Sequence, residues 1–219
     1  MSARLDREFF LAWIERTAEA VAVGKDRLTR LDAAIGDSDH GTNLDRGFTA
    51  VRAALEAKRP QTPGAVLVTV GMTLISSVGG ASGPLYGTVF RRTGKALGDA
   101  ETVSAQDLAA ALTDGLEAVR KLGGASVGDK TMVDVFAPAV EALTAGLAED
   151  PSADGALTAA FEAAADVAES AARATIPLRA RKGRASYLGE RSEGHEDPGA
   201  ASSALLWRAL ADTAAETAR

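Results

Sequence analysis

Three aspartates lie close together in residues 31–43 of the sequence, LDAAIGDSDHGTN, and their spacing suits a metal site. Asp37 and Asp39 are two residues apart, so in an extended loop both carboxylates point to the same side. Asp32 lies five residues before Asp37, where a turn through Gly36 can bring it back toward the other two. Three carboxylates this close repel one another unless a cation lies between them. Mg²⁺ suits such a site because it binds one or two carboxylates and fills its octahedron with phosphates and water.

An acidic loop rich in Asp, Ser and Gly is also a common solvated turn, and these residues alone leave that alternative open. A calcium-binding EF-hand can be tested against its twelve-residue pattern. Counted from Asp37, the sixth position is Thr42 where the pattern requires Gly, and the twelfth is Phe48 where it requires Glu. The sequence therefore excludes an EF-hand.

A second polar stretch, residues 78–86 (VGGASGPLY), has the composition of an anion-binding turn. Glycines let backbone N–H groups turn toward an anion, and Pro84 suits the first position of a new helix. The N-terminus of a helix behind such a turn attracts phosphate, and Ser82 adds a hydroxyl group. The Lys-Ser/Thr pair of a P-loop is missing. A plain turn between two helices is the alternative.

A third polar stretch, residues 176–199, contains five arginines and lysines together with His195 and has no helical periodicity. A loop of this length within a domain is usually functional or disordered. Solubility alone could explain the cations, but an acidic site that gathers phosphate needs basic groups nearby. Asp197-Pro198-Gly199 at its end suits the start of a last helix.

These stretches need elements to position them, and apolar residues at helical spacing predict an all-α fold. We expect a first helix over about residues 6–23 that ends at Gly24, and a second that Asn43 caps. Residues 65–78 are apolar almost all round, and their length favours a central buried helix over a buried strand. Further helices are predicted from Ser104 to Gly123–Gly124, from the segment 128–136 onward, over about 154–174 and after Pro198.

Composition excludes several classes of protein. A chain of 219 residues suits one generous domain or two small ones. Its net charge is −6 without a large basic patch, which argues against nucleic-acid binding. It contains no cysteine, so there is no disulfide framework and no thiolate site. Neither a secretory signal nor an apolar run of membrane-spanning length is evident, and we expect a soluble cytoplasmic protein.

Four motifs run in order through nearly the whole chain: residues 32–43 (DAAIGDSDHGTN), 79–85 (GGASGPL), 128–132 (GDKTM) and 183–199 (GRASYLGERSEGHEDPG). Together they resemble the L subunit of dihydroxyacetone kinase. The resemblance implies one nucleotide-binding domain over residues 1–219, folded as an all-α barrel of about eight antiparallel helices. It also implies that the nucleotide, ADP or ATP, binds at one end of the barrel.

The resemblance implies roles for individual residues. The ligands of two Mg²⁺ ions that bridge the nucleotide phosphates are Asp32, Asp37 and Asp39. The phosphate cradle comprises His40, Gly41, Thr42 and Asn43 together with Ala81 and Ser82. Adenine-side contacts are Gly123 and Met132, the latter of which also suits a simple core position. The segment that closes over the nucleotide contains Arg184, Asp197, Pro198 and Gly199, and Arg184 joins the three aspartates in the phosphoryl transfer.

The resemblance also implies partners. The substrate, a short ketose such as dihydroxyacetone, is held covalently by a histidine of a separate K subunit. In one branch of the family an M subunit of the phosphotransferase system rephosphorylates the bound ADP, and in another ATP exchanges. The sequence does not distinguish these branches. It allows a homodimer but does not determine the oligomeric state.

Three alternatives stay open at this point. One is an ATP-dependent kinase for another short ketose, such as a tetrulose, and another is a non-catalytic nucleotide-binding module. The third, a carboxylate-bridged metal hydrolase or oxygenase, calls for Glu-x-x-His pairs on its helices. Neither His40 nor His195 belongs to such a pair.

Overall fold

The computed structural model describes residues 4–148 and 155–217, and nearly all of them lie in helices, which confirms the all-α prediction. The α-helices are α1 (Arg7–Ile35), α2 (His40–Lys58), α3 (Pro63–Ser77), α4 (Ser82–Leu97), α5 (Ala105–Gly123), α6 (Val133–Ala148), α7 (Ala156–Ala174) and α8 (Pro198–Thr217). A 3₁₀ helix covers Arg184–Ser192. Two short strands, β1 (Arg4–Asp6) and β2 (Thr102–Ser104), pair antiparallel.

The eight α-helices form a closed ring. Each helix packs against the next along the chain, and α8 packs back against α1. Connections of about four residues join α1 to α2, α2 to α3 and α3 to α4, and such short connections are typical of antiparallel neighbours. Apolar side chains from all eight helices fill the ring, with aromatic rings such as Phe10, Trp13 and Phe90 in edge or tilted contact. Within the described ranges, no helix combines the length and the apolar character that crossing a membrane requires.

The first helix is longer than the sequence predicts, because α1 continues through Gly24 to Ile35. Glycine inside a helix costs about 1 kcal/mol relative to alanine. Val21, Leu28 and Ile35 are all buried on one face of α1, and burying such side chains outweighs that cost. Gly24 also admits α8, since a Cβ at this position would lie 3.1 Å from Leu205 Cδ1.

The extension of α1 changes the acidic stretch. Only residues 36–39 lie between α1 and α2, so Asp32 belongs to the last turn of a helix rather than to a loop. Asn43 does not cap α2 as predicted, because α2 already begins at His40. Its side chain instead accepts a hydrogen bond from Arg46 Nη2 at 2.8 Å.

The other elements agree with the sequence more closely. Residues 65–78 fall almost entirely within the helix α3, and Ser104 caps α5 in a capping box with Asp107. Pro84 is the third residue of α4, not the first. The predicted start of the alanine-rich helix at Asp154 lies outside the described residues, and α7 begins at Ala156. The stretch 176–199 contains the 3₁₀ helix, although its sequence has no helical periodicity.

Candidate functional site

One end of the ring opens into a cavity of about 400 Å³. Ligand-binding pockets in proteins commonly have volumes of this order. The C-terminal ends of α1 and α5 and the N-terminal ends of α2, α4, α6 and α8 contribute to its walls. Helix N-termini carry partial positive charge and unpaired N–H groups, so four of them at one cavity favour an anionic ligand.

The three aspartates meet at the rim of this cavity. Oxygen atoms of Asp32, Asp37 and Asp39 all lie within 4.8 Å of one another. Asp32 is buried, whereas Asp37 and Asp39 are exposed. An all-oxygen donor set at this spacing fits a hard divalent cation such as Mg²⁺.

The short turn between α1 and α2 holds Asp32 in place. Asp32 Oδ2 accepts hydrogen bonds from the backbone N–H groups of Asp39 at 2.8 Å and His40 at 3.1 Å. Gly36 closes the turn by donating its N–H to the carbonyl oxygen of Asp32. A Cβ at Gly36 would overlap Asp32 Oδ1, so only glycine lets the carboxylate lie here. Ser38 has a φ of 65°, in the left-handed region, which directs the chain from one aspartate to the next.

Basic groups from the stretch before α8 face the acidic cluster. Arg184 Nε lies 3.0 Å from Asp37 Oδ2, and the arginine side chain is 70% exposed. Lys182 and Gly183 also line the cavity. The predicted meeting of acidic and basic segments therefore occurs, with Arg184 in direct contact with one of the three carboxylates.

The glycine-rich turn between α3 and α4 forms another wall through Gly79, Gly80, Ala81 and Ser82. Gly80 has a φ of 65°, which glycine adopts without strain. At Gly83 a Cβ would overlap the carbonyl oxygen of Val78, so glycine is needed for α4 to begin so close to α3. The turn therefore brings the N-terminus of α4 to the cavity.

A buried hydrogen-bond network connects this wall to α8. The His40 ring contacts Ser82 Oγ through Nδ1 at 3.1 Å and Ser202 Oγ through Nε2 at 2.8 Å. Ser202 Oγ also lies 2.6 Å from the Tyr86 hydroxyl. Burial lowers the pKa of His40, although Asp32 and Asp39 oppose this effect. The network fixes three helix N-termini relative to one another.

One part of the cavity wall is apolar. It comprises Leu85, Val119, Leu122, Ala125, Met132 and Val133, with Gly123 at the end of α5. Such a wall suits a flat apolar ligand surface. The two predicted adenine-side residues, Gly123 and Met132, both belong to it.

Asp197 forms part of the cavity wall where α8 begins. Its carboxylate caps α8 by accepting the N–H of Ala200 at 2.7 Å. Its own N–H donates to Thr175 Oγ1 at 3.0 Å. Burial, with a smaller contribution from Asp134, raises the pKa of Asp197 to about 7. Lys130 and the N–H groups at the start of α8 oppose that rise.

The structure brings most of the predicted site residues to one cavity. Those that line it are Asp32, Asp37, Asp39, His40, Ala81, Ser82, Gly123, Met132, Arg184, Asp197, Pro198 and Gly199. Gly41, Thr42 and Asn43 do not line it. Gly41 packs against the backbone of α1 near Lys25, Thr42 is exposed, and the Asn43 amide lies beside Gly79, behind the glycine-rich turn.

Several lining residues had no predicted role. Gly36, Leu85 and Lys130 lie within the motifs, Tyr86 in the stretch 78–86 and Lys182 in the basic stretch, so their position in the sequence was a signal. Val119 and Leu122 look like ordinary core residues in the sequence, and only the packing of α4 against α5 reveals them.

Comparison with known proteins agrees with the resemblance that the four motifs indicate. A family model described as "DAK2 domain" matches residues 34–212. The chain is 45% identical over 212 residues to "PEP-dependent dihydroxyacetone kinase, ADP-binding subunit DhaL" of Escherichia coli, covering 97% of this chain and 99% of the relative. It is 42% identical over 197 residues to "D-erythrulose kinase" of Mycolicibacterium smegmatis, covering 33% of that protein.

A solved structure has the same fold. The dihydroxyacetone kinase of C. freundii in its native form superposes with a TM-score of 0.71 at 25% identity. The match covers 97% of this chain and 36% of that chain, so the shared part is a ring of helices within a larger enzyme.

Proposed function

This chain belongs to the DAK2 domain family, and on that premise we propose that it is the ADP-binding, phosphoryl-transferring L-type subunit of a dihydroxyacetone kinase. It holds ADP or ATP through two Mg²⁺ ions and passes the phosphoryl group to dihydroxyacetone held on a separate K-type subunit. The observation that carries this proposal is the triad of carboxylates within 4.8 Å at the rim of a cavity that helix N-termini surround.

The charges of the residues support two divalent ions. Three carboxylates and ADP together carry roughly −6, from ordinary carboxylate and phosphate ionisation. Two Mg²⁺ ions reduce this to about −2, and Arg184 and Lys182 are available to balance the remainder. Asp32, Asp37 and Asp39 would hold the ions. When bound, Mg²⁺ neutralises charge on the transferring phosphoryl group.

The chain's own groups then bind and orient the nucleotide. The N-terminus of α4, with the Ser82 hydroxyl, lines the space in which phosphates are expected. The apolar wall around Met132 would receive the base, and it excludes water from that side. Phosphoryl transfer depends mainly on positioning and charge neutralisation, which are the two properties that this cavity offers.

Arg184 has a separate role in the proposal. Its guanidinium lies beside Asp37 on an exposed segment, so it can contact both a metal ligand and a phosphate oxygen. A guanidinium forms strong charge-assisted hydrogen bonds with phosphate. We assign it to neutralising charge that develops during transfer.

The source of the phosphoryl group distinguishes two versions of this function. The E. coli relative is named as PEP-dependent, and a relative from Lactococcus lactis, 40% identical, is named as PTS-dependent. These names favour a relay in which an M-type subunit rephosphorylates resident ADP, and such a relay belongs to the cytoplasm. The likeness to a D-erythrulose kinase supports the second candidate, an ATP-dependent kinase subunit for a tetrulose.

Native mass spectrometry of the freshly purified protein tests the proposal. A mass excess of one ADP and two Mg²⁺ supports resident nucleotide and the relay. A bare chain that takes up ATP only with added Mg²⁺ supports the exchanging kinase. A chain that binds neither nucleotide under any condition contradicts both. The same spectrum reports whether residues 1–219 act as a monomeric single domain or as a homodimer.

A further inference from the structure

Lys130 is only 1% exposed, whereas lysines are almost never fully buried unless their charge is paired. Its Nζ donates to five backbone carbonyl oxygens, those of Thr175 (2.9 Å), Ile176 (3.3 Å), Leu178 (3.0 Å), Ser192 (2.8 Å) and His195 (2.5 Å). An ammonium group has three N–H donors, so five acceptors must share them. The arrangement resembles the carbonyl shell around a bound metal cation, with the ammonium at its centre.

The five carbonyls come from both ends of one segment. Residues 175–197 connect α7 to α8, and we call them the 175–197 segment. Three of the carbonyls belong to its first residues and two to its last, so Lys130 joins its two ends. Between the joined ends lies the part that reaches the cavity, which contains Lys182 and Arg184.

The backbone that carries Lys130 is itself fixed. Asp134 accepts the N–H groups of Gly128 at 2.6 Å and Thr131 at 2.7 Å, on either side of Lys130. Lys130 has a φ of 62°, in the left-handed region that a residue with a Cβ adopts at a cost. The rigid turn and the strained residue together direct the side chain toward the segment.

We propose that Lys130 is a positioning residue whose ammonium serves as a built-in cation, joining the two ends of the 175–197 segment so that Arg184 is held over the acidic cluster. This assignment rests on the proposed function for its consequence, but the contacts themselves do not depend on it. Burying a charge is expensive unless hydrogen bonds compensate it, and here all the compensation comes from the segment that is being held. Removing the ammonium therefore loosens the segment, because the two ends are then joined only by direct hydrogen bonds such as that from Gly194 N–H to the Ile176 carbonyl oxygen.

Limited trypsin digestion of the free protein tests this directly. The segment offers exposed cleavage sites at Arg179, Arg181, Lys182, Arg184 and Arg191. In Lys130→Ala we expect cleavage within the segment to be at least about tenfold faster, because even one charge-assisted hydrogen bond is of that order. The matched control is Lys95→Ala, an exposed lysine at the far end of α4, which should be cleaved in the segment at the wild-type rate.

Chemical rescue of Lys130→Ala distinguishes the effect of the ammonium charge from the effect of side-chain packing. The Lys130→Ala change removes three methylene groups and the ammonium, and n-propylammonium replaces these atoms. Added n-propylammonium should slow cleavage of the variant and restore its affinity for Mg²⁺-ADP, whereas 1-propanol should do neither. Rescue by both compounds alike, or by neither, would overturn the built-in cation, as would segment cleavage at the wild-type rate.

A second variant covers the case in which Lys130→Ala does not fold. Lys130→Gln retains two N–H donors without the charge, and its segment should be cleaved faster than in the wild type. An unchanged rate in this variant overturns the inference. Digestion requires no nucleotide, so it tests the role of Lys130 independently of the proposed function. If the wild-type protein never binds ADP but the segment of the variant is cleaved faster, the proposed function is contradicted and the role of Lys130 is retained.

Discussion

The substitution Asp37→Asn removes one carboxylate of the acidic cluster with almost no change of shape. If the cluster holds Mg²⁺, the variant loses metal-dependent nucleotide binding while the helical ring stays intact. The effects on nucleotide binding and on folding can be measured separately, because Asp37 is exposed and does not pack in the core.

The structure supports an estimate of both effects. Two unit charges about 4–5 Å apart repel by roughly 1 kcal/mol in water-like surroundings, so losing Asp37 relieves repulsion from Asp32 and Asp39. It also loses the exposed pair with Arg184, which contributes about 0–1 kcal/mol. These terms oppose each other, and in EDTA the free energy of unfolding should change by no more than about 1 kcal/mol. With Mg²⁺-ADP at 100 times its dissociation constant, the wild type gains about 2.7 kcal/mol. The variant should gain close to nothing.

Urea denaturation followed by circular dichroism, once in EDTA and once with Mg²⁺ and ADP, measures both numbers. The matched control is Asp45→Asn, which removes a half-buried carboxylate that pairs with Lys25 at 3.1 Å and does not line the cavity. The control should keep the full gain from Mg²⁺-ADP. If Asp37→Asn keeps it as well, Asp37 is not a metal ligand.

Three further predictions concern single residues of the cavity. Gly36→Ala should weaken Mg²⁺-ADP binding at least about tenfold in a calorimetric titration, because the added methyl group displaces the Asp32 carboxylate. If the variant binds with wild-type affinity, that steric argument is wrong. Arg184→Ala should slow phosphoryl transfer by about tenfold or more. Its unfolding free energy should change by less than about 0.5 kcal/mol, as for most exposed side chains, and an unchanged transfer rate with saturating partner would remove Arg184 from the site. The pKa of Asp197 is raised to about 7 in the folded protein, so the folded state binds the extra proton. The contribution of Asp197 to the free energy of unfolding should therefore fall as pH rises from about 4 to 7, by up to about 1.4 kcal/mol per unit, and level off above. Asp197→Asn keeps a capping side chain and should flatten that slope in urea titrations; an identical slope would show that Asp197 does not titrate there.

The sequence predicted the kind of fold and most helix positions because local signals were consistent. Ser104 caps its helix as predicted, and residues 65–78 are helical as their length indicated. The predicted burial of that helix on every side is wrong, since Met72 and Ile75 are exposed. Gly24 misled the prediction, since its local preference is overridden by burial of α1 against the rest of the ring. That burial depends on contacts with residues as distant as Leu205, which no local pattern contains.

The candidate site was predictable wherever the chemistry lies in a side chain within a motif. The three aspartates and Arg184 are of this kind, and the structure brings them together. Lys130 is of the opposite kind, because its partners are backbone carbonyls, which leave no trace in the sequence. Apart from Gly123 and Met132, the apolar wall was likewise hidden, because its residues differ from core residues only in lining a cavity.

The central claim is that this chain passes a phosphoryl group from its nucleotide to dihydroxyacetone on a K-type partner. The most direct test combines the purified chain with Mg²⁺, dihydroxyacetone and a K-type subunit of proven activity with another L-type subunit. The phosphoryl donor is ATP in one reaction and a phosphorylated M-type subunit in a parallel one, and dihydroxyacetone phosphate is measured by mass spectrometry in both. We predict product only when both proteins are present, and none when Asp37→Asn replaces the wild type. Absence of product with the wild type, while the K-type subunit remains active with its other partner, would contradict the account.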